Sequence, residues 1–161
     1  MSQLKIVKQC IIRRAPDVVR AHFLDFDHHI AHGVHKGVDY TVLERLGAQQ
    51  RVRSKFRVYG MPKVDEIVVY ADAAGAVVQD FVKGDFAGGR IRVSFTPEGE
   101  ATRLEATLDA PLRGVNRLLA PLLRRVVAKL VDQALSEDCE DLENGYQPPR
   151  QRAVPKAASA A

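Results

Sequence analysis

Residues 84–114 read GDFAGGRIRVSFTPEGEATRLEATLDAPLRG, and this stretch decides the fold. Gly84, Gly88 and Gly89 sit where a hairpin or bulge would need them, without the spacing of a phosphate-binding loop. Two extended runs follow, GRIRVSFTPEGE and ATRLEATLDA, divided by an acidic glycine turn. The period then changes. From Leu112 to Glu143 the residues Leu119, Leu122, Leu123, Val126, Val127, Leu130, Ala134 and Leu135 form one broad apolar stripe, flanked by Arg117, Arg124, Arg125 and Lys129. Pro121 marks a break near the helix start and Asn144-Gly145 stops it.

Upstream the same punctuation repeats. AVVQDFVKGDFAG and PKVDEIVVYADAAG read as strands, and QQRVRSKFRVYG alternates strictly. Val52, Ser54, Phe56 and Val58 lie opposite Arg51, Arg53, Lys55 and Arg57, the mark of a half-buried strand. In KGVDYTVLERLG, Val38, Tyr40 and Val42 share a face. QLKIVKQCIIRR (3–14) is a further strand, ended by Ala15-Pro16. Pro16 suits a first helical turn and Asp17 its dipole, so PDVVRAHFLDF is a helix with Val18, Val19, His22, Phe23 and Phe26 on one face. Asp27 can cap a second short helix, DHHIAH, which Gly33 ends.

The order is therefore strand, two short helices, six antiparallel strands and one long helix: an α+β fold. A bent sheet must cover its apolar concave face, and the terminal helix is the available lid. One helix does not fill a wide concavity, so a cavity is expected beneath it. This order, with 84–114 running into the helix, resembles the helix-grip fold of the START-domain and polyketide cyclase-like (SRPBCC, birch-pollen-allergen-like) superfamily over residues 3 to about 146. The resemblance implies a curved seven-stranded antiparallel sheet, two short helices and one long C-terminal helix over a cavity. It also implies binding of hydrophobic ligands, since members include lipid carriers, hormone receptors, aromatase/cyclases and coenzyme Q-binding proteins. It carries no catalytic signature, and fold alone does not choose among these roles.

A chain of 161 residues, 46% apolar and 27% charged, suits one globular domain, expected over 1–146. The Pro/Ala-rich tail 147–161 is expected to be disordered. The net charge of +4 invites a nucleic-acid reading, but Arg150, Arg152 and Lys156 in that tail supply most of it. Without them 21 basic residues face 20 acidic ones, so no nucleic-acid partner is expected. No apolar run approaches the roughly 18 residues of a membrane span, and MSQLKIVKQ lacks a signal-peptide layout. Cys10 and Cys139 lack metal-type spacing and read as reduced thiols in a cytoplasmic protein.

Side chains for the cavity follow from assumed turns. A three-residue connection at Gly60-Met61-Pro62 pairs Phe56 with Glu66, and one at Gly47-Ala48-Gln49 pairs Tyr40 with Phe56. The wall is then Tyr40, Ser54, Phe56, Val58, Glu66, Val68, Phe95, Leu104 and Leu108, roofed by Leu123, Val127 and Leu130. Tyr40, Ser54 and Glu66 are its polar groups, and such a mix suits a small-molecule site. A one-residue slip would instead put Glu66 in solvent and Ile67 inside. Arg51, Arg53, Lys55 and Arg57, with Arg90 and Arg92, form an outer face balanced by Asp65, Asp80 and Glu105, or else a patch for anionic lipid. Arg113, Arg117, Arg124 and Arg125 form a second such patch, so the two are the candidate surfaces for transient membrane contact, the solvated face being the favoured reading of the first.

All five histidines, His22, His28, His29, His32 and His35, fall within fourteen positions. His28 and His32, one helical turn apart, are weak metal candidates; they lack a closed set of ligands, and no metal or other cofactor is expected. His32 and His35 could act as acid/base at a cavity mouth, or the whole run is a solvated rim. The expected function is binding or carriage of a hydrophobic lipid-like or polyketide-like molecule. The alternative is a cofactor-independent cyclase or dehydratase using Glu66, Tyr40, His35 or His32.

Overall fold

The computed structural model describes residues 2–149; the expected tail lies, from residue 150 on, outside the described residues. β1 (Gln3–Ile12) leads to α1 (Pro16–Leu24) and α2 (Phe26–His32). Six strands follow: β2 (Asp39–Leu46), β3 (Gln49–Val58), β4 (Met61–Ala71), β5 (Val77–Lys83), β6 (Arg90–Glu98) and β7 (Ala101–Pro111). A short α3 (Val115–Leu118) precedes the long α4 (Ala120–Glu143). The break comes at Leu119, and Pro121 lies in the first turn of α4, where its missing N–H costs no helical bond.

The seven strands form one sheet in the order β1-β7-β6-β5-β4-β3-β2, every pair antiparallel. Strands 2 to 7 run as a meander, and β1 closes the row against β7 over ten paired positions. Register shifts at Val42/Glu44 and Glu66/Ile67 are the bulges that bend such a sheet. α4 lies across the inner face. Toward one end Leu4, Ile6, Leu108, Ala110, Leu123 and Val127 pack together; toward the other Ile12, Val19, Phe23, Leu104, Leu135 and Leu142 do. The apolar stripe of α4 is split between these two clusters, so the middle of the concavity is filled less completely than its ends.

Two turns differ from expectation. β3 and β4 join through Tyr59 and Gly60, with Val58 opposite Met61, not through Gly60-Met61-Pro62. Both turn residues have positive φ, +52° and +74°, the backbone of a tight two-residue hairpin. A bulky tyrosine is an unusual occupant of that conformation, which is why the sequence points to the wrong turn. The odd shift exchanges the two faces of β4: Ser54 lies opposite Asp65, and Arg53 opposite Glu66. β2 and β3 likewise turn at Gly47-Ala48, a shift of one residue, and the bulge at Val42/Glu44 adds a second, so Tyr40 pairs with Ser54 and still faces inward.

The cap of α2 is Asp25, two residues earlier than expected; its Oδ1 accepts the His28 N–H at 3.0 Å. Asp27 instead pairs with Arg45 on the surface. Gly33 ends α2 in the left-handed conformation, as the sequence predicts.

Candidate ligand cavity and the histidine cluster

Between sheet and α4 lies a cavity of about 180 Å³, adjoined by a smaller compartment of about 120 Å³. Tyr40, Gln79, Ile91, Val131, Ala134 and His35 stand between the two and line both. Phe56, Ile67, Phe81, Phe86 and Leu108 wall the larger space from the sheet, while Val127, Leu130 and Val131 roof it. Exposed Gly37 and Gln133 mark its mouth, where the loop after α2 meets α4.

Of the expected wall, Tyr40, Ser54, Phe56, Leu108, Val127 and Leu130 line this cavity. Val58 is buried on the inner face but lies beyond it. Phe95 and Leu104 pack under α1, where Phe95 meets the Phe23 ring at 5.7 Å, and Leu123 belongs to the cluster at the other end. They fill space and do not border it. Glu66 and Val68 face outward. The Glu66 carboxylate takes Arg51 at 2.7 Å and Arg53 at 3.4 Å, and the Arg51 bond holds its pKa below the usual carboxylate range against the opposing pull of burial. Arg90 pairs with Asp80 and Arg92 with Asp72, so part of the outer face is neutralised.

The carboxylate that does face inward is Asp65, placed outside by the sequence reading. It is 1% exposed, lines the cavity, and neither oxygen has a hydrogen-bond partner. Burial pushes its pKa up to about 6; the amides of Asp85 and Phe86 face it and oppose that rise, but fall short of bonding geometry. Gly84 (φ +108°) makes the site possible. A Cβ there would stand 1.8 Å from Asp65 Oδ1 and 2.7 Å from the Val64 carbonyl. The strand signal reached this residue; the unrecognised turn hid its face.

The histidines are not a solvated rim. His22, His28 and His29 are buried between α1, α2 and α4, and His35 is nearly so; His32 alone is exposed, its ring stacked on His28 at 4.4 Å. His32 therefore faces no cavity, and His28 and His32, the weak metal candidates, share no acid. Three acids of α4 receive the others. Asp141 Oδ2 accepts from His22 Nε2 at 2.8 Å and His28 Nε2 at 2.7 Å. Glu137 Oε2 lies 3.1 Å from His35 Nδ1. Asp138 Oδ1 meets His29 Nε2 at 3.3 Å, His35 Nε2 at 3.2 Å and His22 Nδ1 at 3.8 Å. Tyr146 closes the cluster, its hydroxyl donating to Asp25 Oδ2 at 3.0 Å.

The electrostatics follow this geometry. Burial drives the His22 pKa down to about 4. Burial also pulls on His35, but bonds to Asp138 and Glu137 more than offset it and hold the ring above its ordinary value. Asp138 is fully enclosed, yet His29 and His35 keep it well below the carboxylate range. The Tyr40 hydroxyl is pushed upward by burial and by Asp138 and Glu137. These acids fall at i, i+1 and i+4 on α4, a spacing the sequence offered; their partners lie over a hundred positions away and were not legible.

Comparison with known proteins fits this geometry. Residues 3–141 match a family model described as polyketide cyclase / dehydrase and lipid transport. The chain belongs to this family. The fold is shared with a Thermus thermophilus protein (23% identity, TM-score 0.76, covering 89% of this chain and 99% of that one). It is shared with a Streptomyces aromatase/cyclase (18% identity, TM-score 0.74, 89% and 95%) and a START superfamily protein from Mycobacterium smegmatis (17%, 0.71, 87% and 97%). No curated relative matches the chain by sequence. Among the described residues, no helix is long and apolar enough to cross a membrane.

Proposed function

We propose that this chain binds a hydrophobic, ring-sized molecule bearing one hydrogen-bond donor, with the donor on Asp65 and the apolar body beneath α4. The observation carrying this reading is an apolar cavity whose floor holds a buried, unbonded carboxylate. An unpaired polar group of that kind costs on the order of 1–3 kcal/mol, which a donor on the guest would recover. A dry cavity of roughly 150 Å³ admits benzene, so the larger compartment suits one ring and the pair a bicyclic or short-chain guest. A chain that moves lipid-like or polyketide-like compounds fits both the cavity and the family's description.

Filling the space tests the reading. Ala134 borders both compartments on α4, and Ala134→Trp is expected to weaken uptake of 2-naphthol at least tenfold in fluorescence titration while the chain stays folded. Unchanged affinity would place binding elsewhere.

A second reading is favoured by the Asp65 pKa near 6: a carboxyl poised close to neutrality can take and return protons in a cyclase or dehydratase step. Asp65 would be the acid/base and Tyr40 a hydroxyl beside the substrate. Glu66 and His32 have no part in it, since neither borders the cavity.

Delivery to a membrane belongs to the same proposal. Val115, Leu118, Leu119 and Leu122 are exposed together across α3 and the start of α4, Leu118 at 82%. Arg113, Arg117, Arg124 and Arg125 surround them, and none pairs with an acid among the described residues. Apolar side chains ringed by unpaired arginines suit an anionic lipid surface. Leu118→Asp is expected to cut co-sedimentation with phosphatidylserine-containing vesicles severalfold, and high salt to do the same. Equal binding to neutral phosphatidylcholine vesicles would remove the electrostatic part.

A further inference from the structure

The histidine cluster has a feature that hydrogen bonding leaves unexplained. Two rings each spend one nitrogen on a group that can only accept. His29 Nδ1 lies 2.8 Å from the Asp25 carbonyl oxygen, and His22 Nε2 2.8 Å from Asp141. Those nitrogens therefore carry the N–H in the neutral rings, which leaves a lone pair on each second nitrogen. Those of His29 and His22 turn toward one oxygen, Asp138 Oδ1, at 3.3 and 3.8 Å, whereas His35, set between Glu137 and Asp138, donates to that oxygen from Nε2 at 3.2 Å. Lone pairs aimed at a carboxylate oxygen repel it unless a positive centre lies between them. His22 Nδ1 is the sharpest case, fully buried and without any hydrogen-bond partner.

We propose that His22 Nδ1, His29 Nε2 and Asp138 Oδ1 form a binding site for a first-row transition-metal dication, with tetrahedral zinc the best fit. Their ligand atoms all lie within 4.8 Å of one another. Tetrahedral zinc at bond lengths of about 2.0–2.1 Å sets ligands roughly 3.3 Å apart, and the two imidazole nitrogens stand 3.3 and 3.8 Å from Asp138 Oδ1. The donor set is two imidazoles and one carboxylate, which suits zinc, cobalt or nickel and not the all-oxygen preference of magnesium or calcium. Acceptors behind the rings are those a metal site uses to orient its ligands: Asp141 behind His22 and the Asp25 carbonyl behind His29. His35 and Glu137 hold Asp138 from the cavity side. They are positioning residues.

The elements explain why such a site forms here. His22 is on α1, His29 on α2 and Asp138 on α4, so one ion would tie the adjacent N-terminal pair of helices to the C-terminal helix, which is remote in sequence. His29 and Asp138 also line the smaller compartment, so the fourth coordination position opens toward the cavity. An ion there would give the compartment a Lewis-acidic end wall.

The test uses tag-free full-length protein stripped with chelator and titrated with Zn²⁺ and with Co²⁺ in the absence of any organic ligand, which separates it from the binding reading above. Uptake of a single Zn²⁺ per chain, an intense tetrahedral-type Co²⁺ spectrum and a raised Tm with Zn²⁺ but not Mg²⁺ are expected. His29→Gln and Asp138→Asn should each weaken Zn²⁺ binding more than tenfold, while His32→Ala, on the exposed ring, leaves it unchanged. No uptake, or a weak octahedral-type Co²⁺ spectrum in the unmodified chain, would overturn the proposal whether or not the variants fold. So would folded His29→Gln and Asp138→Asn chains that bind as tightly as the parent.

Discussion

Oxidation with diamide is expected to raise the thermal midpoint of this protein by roughly 10 °C, through a covalent bond between Cys10 and Cys139. The two sulfurs, on β1 and α4, already face each other at 3.5 Å, partly buried and 129 positions apart in sequence. Closing to the disulfide length of about 2.0 Å asks the two sulfurs to approach by about 1.5 Å. The bond would close a loop spanning most of the domain, and a loop of that order restricts the unfolded chain by about 4–5 kcal/mol. For a domain of this size each kcal/mol moves Tm by about 2–4 °C. Calorimetry with and without dithiothreitol checks it, with loss of two titratable thiols as the chemical readout. Cys139→Ser should abolish the gain. An unshifted midpoint in a fully crosslinked sample would mean that strain in the folded state cancels the entropy. In a reducing compartment the pair stays as thiols and packs as two small apolar groups.

That pair shows what the sequence could and could not disclose. Each cysteine was assigned its element correctly, a strand and a helix, yet nothing in either local pattern says they touch. The same holds across the molecule. Alternation in 49–60 and the apolar stripe of α4 are local signals, strong enough to yield the order of elements and the helix-grip architecture. Facing partners depend on register, and register depended on a turn. Tyr59 in a left-handed conformation carried no warning, so β4 was assigned the wrong face, and Glu66 stood in for its neighbour Asp65. Tyr40 kept its face despite a similar error at Gly47 only because the bulge at Val42/Glu44 added a second one-residue shift. His22 was placed on the buried face of α1 from its spacing alone. The acids that receive the histidines sit at the far end of the chain, where only tertiary structure brings them in.

Replacing Asp65 tests both the corrected register and the reading of the cavity. Its folded-state pKa of about 6 stands above the ordinary carboxylate value near 3.9, so folding disfavours the ionised form. Below pH 4 the group is neutral folded and unfolded, and costs nothing by this route. As pH rises from 4 to 6 the unfolded chain ionises first and stability falls; above about 6 the loss is complete. Asp65→Asn keeps the shape and removes the charge. It is expected to be more stable than the parent by on the order of 2 kcal/mol at pH 8, with the gap closing by pH 4, as urea unfolding across that range would show. Ligand binding should move the other way. A hydroxylated guest such as 2-naphthol donates to the carboxylate, so its affinity rises as pH passes through 6, and exceeds that of naphthalene by about tenfold or more, the worth of a charge-assisted hydrogen bond. In Asp65→Asn the pH dependence should disappear and the preference should shrink to that of a neutral amide acceptor. A variant that gains stability but keeps the full preference and its pH dependence would assign the donor's partner to another group in the wall. One that gains nothing at pH 8 would mean Asp65 is solvated, and the inward face of β4 would have to be redrawn.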